Sequence, residues 1–217
     1  MIKKVSKYGY IEFEVGNDEN IWFTSDHHFF HKNIIRLCNR PFVDIKEMSE
    51  KLIENWNTHV KPNDIVFNLG DFCWSGSSDE WIKLMDKLHG KQILIIGNHD
   101  DRKCVEKVEN WYKPRENDCR AVQTKLLFVR ERLELRYGKK RYILDHFPQY
   151  NWMGCHYWVY NIHGHIHEKN SEIARVNSYN VSVERNEYRP ISLKELNLLL
   201  DQQKEENSIN LCLIKKN

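Results

Sequence analysis

The chain has 217 residues, long enough for one domain with a large core, and its 41% hydrophobic and 29% charged composition is ordinary for a soluble globular protein. A formal net charge of +2 is too small to indicate a nucleic-acid or membrane partner by itself. No apolar run approaches the roughly 18–20 residues of a spanning helix, Met1-Ile2-Lys3-Lys4-Val5 lacks a signal-peptide core, and none of the six cysteines forms a CxxC pair, so a cytoplasmic protein with reduced thiols and no membrane partner is expected.

Residues 10–15 alternate and predict a strand at a sheet edge. After the turn-like Gly16-Asn17-Asp18, the run Ile21-Trp22-Phe23-Thr24 predicts a second strand, which breaks into Asp26, His27, His28 and His31. Residues 32–39 read as a short helix stopped by Pro41. Asp44 with Glu47 makes a capping-box start, and Ile45, Met48, Leu52, Ile53 and Trp56 follow at helical spacing as core residues. Residues 64–69 form a buried strand running into Gly70-Asp71. Ser77-Ser78-Asp79-Glu80 then opens a helix with Trp81, Leu84, Met85 and Leu88 on one face, closed by His89-Gly90. Residues 92–96 form a third buried strand, running into Gly97-Asn98-His99-Asp100. This alternation predicts a parallel sheet with right-handed crossovers.

The rhythm then changes. Strands are expected at residues 121–129, 133–137 and 141–144, the last two joined as a hairpin at Gly138-Lys139-Lys140 and leading into Asp145-His146. Tyr160-Asn161-Ile162 runs into His163-Gly164-His165-Ile166-His167. Short strands are expected at 180–183 and 188–191, a last helix from the capping box Ser192/Glu195 to about Gln203, and a strand at 209–214. With no repeats or linker, residues 1–217 read as one domain.

Eight of the eleven histidines fall in or beside these strand ends. Five ends carry metal-type ligands: Asp26/His28, Asp71, Asn98/His99, His146 and His165/His167. Loops at the carboxyl ends of strands in an open α/β sheet converge although distant in sequence. Gly70, Gly97 and Gly164 directly precede the polar residues, where a backbone must turn sharply or approach closely. Carboxylate oxygen together with imidazole nitrogen suits divalent transition metals.

Asp26-His27-His28, Gly70-Asp71, Gly97-Asn98-His99-Asp100, His146 and Gly164-His165-Ile166-His167 resemble, in order, the five signatures of the calcineurin-like metallophosphoesterase superfamily. Asn39-Arg40-Pro41-Phe42, Asn180-Val181-Ser182-Val183 and Tyr188-Arg189-Pro190 look like a small bacterial and phage subgroup. The resemblance implies an α/β fold, a four-layer α/β/β/α sandwich of mixed sheets flanked by helices. It implies a first metal held by Asp26, His28 and His167, a second held by Asn98, His146 and His165, and Asp71 bridging both. His99 would be no ligand but a general acid or charge stabiliser. Two divalent ions about 3.5–4 Å apart neutralise an anionic phosphoester and activate a bridging hydroxide; manganese, iron, zinc and nickel all suit the mixed shell.

The departures narrow the chemistry. The protein phosphatases of the superfamily carry Asp-Arg after this Gly-Asp and Glu after Gly-Asn-His; in Gly70-Asp71-Phe72-Cys73-Trp74 and at Asp100 those places hold other residues, so a phosphodiester is favoured over a phosphomonoester. A nucleotide-type substrate is favoured over single-stranded nucleic acid, because the charge gives no polyanion footprint. A non-catalytic metal-binding interaction module is the competing class. His27 is expected to pack away from the metals. His31, Asn33 and Arg36 are candidates for phosphate contact or for support of a ligand. Arg40 reads equally as a phosphate ligand or a helix-surface residue. His163 and Asp145 read as structural, Cys73 as an inert buried thiol, and Trp152, Tyr157, Trp158 and Tyr160 as core rather than a stacking wall.

Overall fold

A computed structural model describes residues 2–5, 10–13, 20–113, 125–167 and 177–214. Two mixed β-sheets pack face to face. The first has the order β11 (Ile191–Ser192), β3 (Ile21–Thr24), β4 (Ile65–Asn68), β5 (Lys91–Ile95), β6 (Leu126–Arg130). Strands β3 to β6 are parallel to one another, and β11 closes the edge antiparallel to β3. The second sheet has the order β1 (Ile2–Val5), β2 (Tyr10–Phe13), β7 (Arg132–Tyr137), β8 (Lys140–Asp145), β9 (Tyr160–His163), β10 (Ser178–Asn180). It mixes the β7–β8 hairpin with the parallel pairs β2–β7, β8–β9 and β9–β10.

The strand sequences explain this layering. Alternate residues of β3, β4 and β5 (Ile21, Phe23, Phe67, Ile93 and Ile95) meet Leu133, Leu135, Leu144 and Ile162 of the second sheet in one core. The intervening residues, Val66 and Leu94 among them, face the helices instead. Strands buried on both faces read as continuous apolar runs rather than as alternation, which is how β4 and β5 appear in the sequence. Helices α2 (Ile45–His59), α3 (Ser78–Lys87) and α4 (Arg102–Tyr112) follow β3, β4 and β5 in turn and cover this face with Met48, Leu52, Trp56, Trp81, Met85 and Val108. A short helix, α1 (Ile34–Leu37), precedes them. The cap of α2 forms as expected: Asp44 accepts from the Lys46 and Glu47 amides, and Glu47 returns to the amide of Val43.

The last helix, α5 (Leu193–Ile214), puts Leu193, Leu196 and Leu200 into the core shared by the sheets. It is tied to β8 by the Tyr142 hydroxyl donating to Asn197 at 2.6 Å. On the outer side of β8, Ile143 packs with Trp152, Cys155 and Val159 in a smaller cluster. The fold is therefore the α/β sandwich of mixed sheets and flanking helices.

Several local expectations need correction. Residues 209–214 continue α5 and are not a strand, because the apolar run extends an existing helix. Strand β2 is not an edge, since β1 pairs with it on the outside. Helix α4 and strand β1 lie where no element was expected. Residues 181–183 are not strand; β10 ends at Asn180 and a 3₁₀ turn spans Val183–Asn186. Of the strand expected at 121–129, residues 121–124 lie outside the described residues. Among the described residues no helix is long and apolar enough to cross a membrane.

Candidate metal centre

Strands β3 and β4 end side by side, and their following loops remain zipped. The Leu69 amide donates to Thr24 O, Asp26 to Gly70 O, His28 to Asp71 O and Phe29 to Phe72 O, all at 2.8–3.0 Å. This places Asp26 and His28 beside Asp71. Asp26, His28, Asp71, His165 and His167 all have φ between +50° and +70°. Non-glycine residues adopt this left-handed region at a cost of order 1 kcal/mol each, and such outliers gather at functional sites. The strained backbone turns these side chains inward from loops that a regular strand would carry past the site.

Two glycines permit the approach of the loops. A Cβ on Gly164 would collide with Asp26 Oδ2, and one on Gly97 with the amide and carboxylate of Asp71. Asp100 secures the same junction. Its carboxylate accepts from the amides of Asp71, Phe72 and Gly97, each at 2.9 Å, and burial pushes its pKa up to about 6 against the pull of those bonds.

The inward side chains form two groups. In the first, potential ligand atoms of Asp26, His28 and His167 lie within 4.8 Å of one another; in the second, those of Asp71, His146 and His165 do. Asn98 Oδ1 joins the second group, 2.9 Å from His146 Nε2. Asp71 Oδ2 lies 3.4 Å from His146 Nε2 and 3.6 Å from His28 Nε2, between the groups. The seven residues expected as ligands are thus brought together, with Asp71 between the two groups.

Burial governs the electrostatics. It pushes His28 down to about 2, more than the neighbouring Asp71 carboxylate can offset. Burial raises Asp26, opposed by His146 and His167. For His146, burial is outweighed by the Asp71 and Asp26 carboxylates, and the ring is raised to about 9. Asp71 is held down at about 2, because contact with His146 and the amide of His99 outweigh its burial. Asp26 is held from three sides, by the hydroxyls of Ser25 at 2.5 Å and Ser182 at 3.0 Å and by the His165 amide. His146 Nδ1 meets Leu69 O at 2.8 Å, which directs Nε2 toward Asp71.

A divalent cation fits this donor set. His28 Nε2 is buried without a hydrogen-bond partner, and two carboxylates no more than 2% exposed face it and its neighbouring histidines. A buried unpaired imidazole nitrogen beside buried carboxylates is costly unless something of opposite charge sits among them.

His99 lies at the rim, its amide donating to Asp71 Oδ1 at 2.8 Å. It lines a cavity of about 350 Å³ with Trp74, Ser75, Gly76, Asn98, Asp100 and Asp101. His31 stacks on Trp74 and borders His28, the ring centroids of the latter pair being 5.4 Å apart. Asn33 and Arg36 are exposed around α1, Asn33 without capping the helix. Among the described residues neither is seen bonded to the two groups. His27 turns into the core against Phe29 and Trp56, as expected. Cys73 is buried, which raises its thiol. Trp152 and Tyr160 are core residues, whereas Tyr157 and Trp158 are exposed.

Arg40 is neither a phosphate ligand at the surface nor a helix-surface residue. It is 4% exposed and paired with Glu184, a residue the sequence reading passed over. Glu184 follows Asn180-Val181-Ser182-Val183 directly, and that stretch was its available signal. Ser182 was likewise missed, although its hydroxyl reaches Asp26.

The family model described as calcineurin-like phosphoesterase matches residues 19–212. An uncharacterized protein, MJ1445, of Methanocaldococcus jannaschii is 34% identical over 197 residues, covering 88% of this chain and 96% of its own. The gene 66 protein of Mycobacterium phage L5 is 37% identical over 84 residues, 37% of this chain and 40% of that protein. Among solved structures, the protein of unknown function AQ665 from Aquifex aeolicus has a TM-score of 0.62 and 26% identity, covering 82% of this chain and 98% of its own. By the match to the family model over most of its length, and with these strand-end residues in place, the chain belongs to the calcineurin-like phosphoesterase family.

Proposed function

We propose that this protein is a dinuclear metal-dependent hydrolase of phosphoester bonds, acting on a phosphodiester of the nucleotide type. Asp26, His28 and His167 would hold one divalent ion, Asn98, His146 and His165 the other, with Asp71 shared. Such a pair supplies charge neutralisation of the phosphoester and activation of water at neutral pH. The observation that carries this reading is the Asp71 carboxylate between two ligand groups, 3.6 Å from His28 and 3.4 Å from His146.

The chain's own residues do the rest. Asp100 holds the Asp71 and Phe72 amides and so fixes the shared carboxylate before substrate arrives. Preorganised charge of this kind is the main catalytic term available to a site that forms no covalent bond with its substrate. His99, on the cavity wall, would give a proton or positive charge to the leaving oxygen. Trp74, 46% exposed beside it, offers an indole face to a base. That exposed indole supports a nucleotide over a bare phosphomonoester.

The test is hydrolysis of a chromogenic phosphodiester with added manganese, followed by cyclic nucleotides, dinucleotides and single-stranded DNA. Turnover of nucleotides is expected. A preference for DNA with steep salt dependence would replace the nucleotide by a nucleic-acid substrate. No turnover with manganese, iron, zinc or nickel would leave the interaction-module reading in its place.

A further inference from the structure

The segments Asn39–Phe42 and Asn180–Tyr188 lie far apart in sequence, and their side chains meet beneath the first ligand group. Arg40 donates through Nε at 2.9 Å and Nη2 at 2.6 Å to one oxygen of Glu184, 144 residues away. The same guanidinium donates to the carbonyls of His27 at 2.8 Å and Asp26 at 2.6 Å. Glu184 Oε1 in turn lies 2.7 Å from Nδ1 of His167. Asn180 donates to the His167 carbonyl at 2.6 Å, and Ser182 to Asp26 Oδ2. Phe42 and Tyr188 close the junction edge to face.

We infer that Arg40 and Glu184 are positioning residues for the first metal site: Glu184 engages Nδ1 of His167 so that Nε2 faces Asp26 and His28, and Arg40 locks both Glu184 and the backbone carrying those two ligands. An imidazole has two nitrogens, and the bond made by one decides which is free to bind a metal. With Nδ1 held by Glu184, Nε2 lies 3.9 Å from Asp26 Oδ1. Burying an ion pair strips water from both ions, and apolar packing of equal volume stabilises a core as well or better. Direction is what this pair supplies and apolar packing lacks. Arg40 spends four donor contacts on one carboxylate and two carbonyls, a planar fork that lysine does not reproduce.

This inference rests on the dinuclear reading above, and one experiment separates the two. Chelator-treated protein is titrated with manganese(II) by calorimetry, as native chain, Glu184→Gln and Arg40→Lys, with cobalt(II) absorption recorded in parallel. The native chain is expected to bind two ions. Glu184→Gln is expected to weaken one site by about 10–100-fold and leave the other within about twofold, the second site being the internal control. Arg40→Lys should weaken the same site. Should Glu184→Gln fail to fold, as judged by its melting curve with chelator present, Arg40→Lys carries the test. Equal affinities in all three proteins, or equal loss at both sites, would overturn the positioning role. So would a thiolate-to-cobalt band in the native protein. It would assign Glu184 and His167 to a site with Cys38, whose ligand atoms lie within 4.8 Å of theirs. A native chain that binds fewer than two ions would overturn the dinuclear reading itself.

Discussion

His31 and Trp74 lie face to face, their ring centroids 4.0 Å apart and their planes 9° from parallel. The imidazole thus occupies one face of the indole, and His99 stands beside it at 4.8 Å. His31 follows the β3 ligands and Trp74 the β4 ligand, so the stack continues the zipper that joins those two loops. The stack fixes the plane of the Trp74 indole. Stacking of one base on an aromatic side chain is worth about 1–3 kcal/mol. Trp74→Ala should lower kcat/KM for a dinucleotide by about 10-fold or more relative to a phosphodiester without a base. Steady-state kinetics on both substrates checks this. An unchanged ratio would remove Trp74 from the binding surface.

Asp71 and His99 share a hydrogen bond, and the roles proposed for them predict that their variants separate. Asp71→Asn replaces the shared carboxylate by a neutral amide beside three histidines. It should lower kcat/KM by about 100-fold or more and reduce the bound metal below two equivalents. His99→Ala leaves every proposed ligand in place. It should keep the native metal content and lose about 10²–10⁴-fold in kcat. Metal analysis together with kinetics distinguishes them. Native activity in Asp71→Asn would end the shared-ligand assignment, and metal loss in His99→Ala would make that histidine a ligand.

What the sequence revealed follows from where the signal resides. The five strand ends were legible because each joins a short apolar run to a ligand type within a few residues, three of them through a glycine, and the alternation of strand and helix predicts that the first three converge at one end of a parallel sheet; that the His146 and His165 ends come from a second sheet facing it was not legible in the pattern. Arg40–Glu184 was not legible, because its partners are 144 residues apart and a buried arginine is rare enough that exposure is the natural expectation. Helix α4 did leave a signal: Asp101 caps it through the Cys104 amide, and Cys104, Val105, Val108 and Tyr112 are its buried residues. Residues 209–214 were ambiguous in kind, since a short, mostly apolar segment fits strand or helix equally.

The glycine before Asn98 gives a sharper test of how closely the loops approach. A methyl group at Gly97 has nowhere to go, because the amide and carboxylate of Asp71 already fill that space. The obstacle on one side is backbone, so no rotamer change relieves it. Gly97→Ala should displace Asp71 from its line with His28 and His146, with a stability cost of about 1–3 kcal/mol for overpacking. Catalysis should fall by a larger factor than that cost alone implies, since metal affinity falls too. A melting curve and a manganese titration of the same variant check both parts. Native metal affinity would show that the loops can part without harm.

The last prediction concerns stability away from the metal residues. On the six-stranded sheet, Glu134 accepts from Arg141 Nε at 2.9 Å and Nη2 at 3.0 Å, and from Arg136 Nε at 2.6 Å. Partial burial would raise its pKa, but the two arginines outweigh it and the carboxyl is held below the ordinary value. A carboxylate depressed in the folded state stabilises fully above its unfolded pKa and loses that contribution as pH falls through the folded pKa. The group is partly exposed, so its worth is about 0.2–1 kcal/mol, or roughly 0.5–4 °C in melting temperature for a chain of this size. Glu134→Gln should therefore melt below the native protein at pH 7, and the two curves should converge as pH drops below about 4.5, the unfolded glutamate range. Measuring both in chelator at 50 mM and 500 mM salt removes the metal contribution and should shrink the difference at high salt. A gap that persists unchanged at pH 3 would mean that Glu134 stabilises the hairpin through packing and not through its charge.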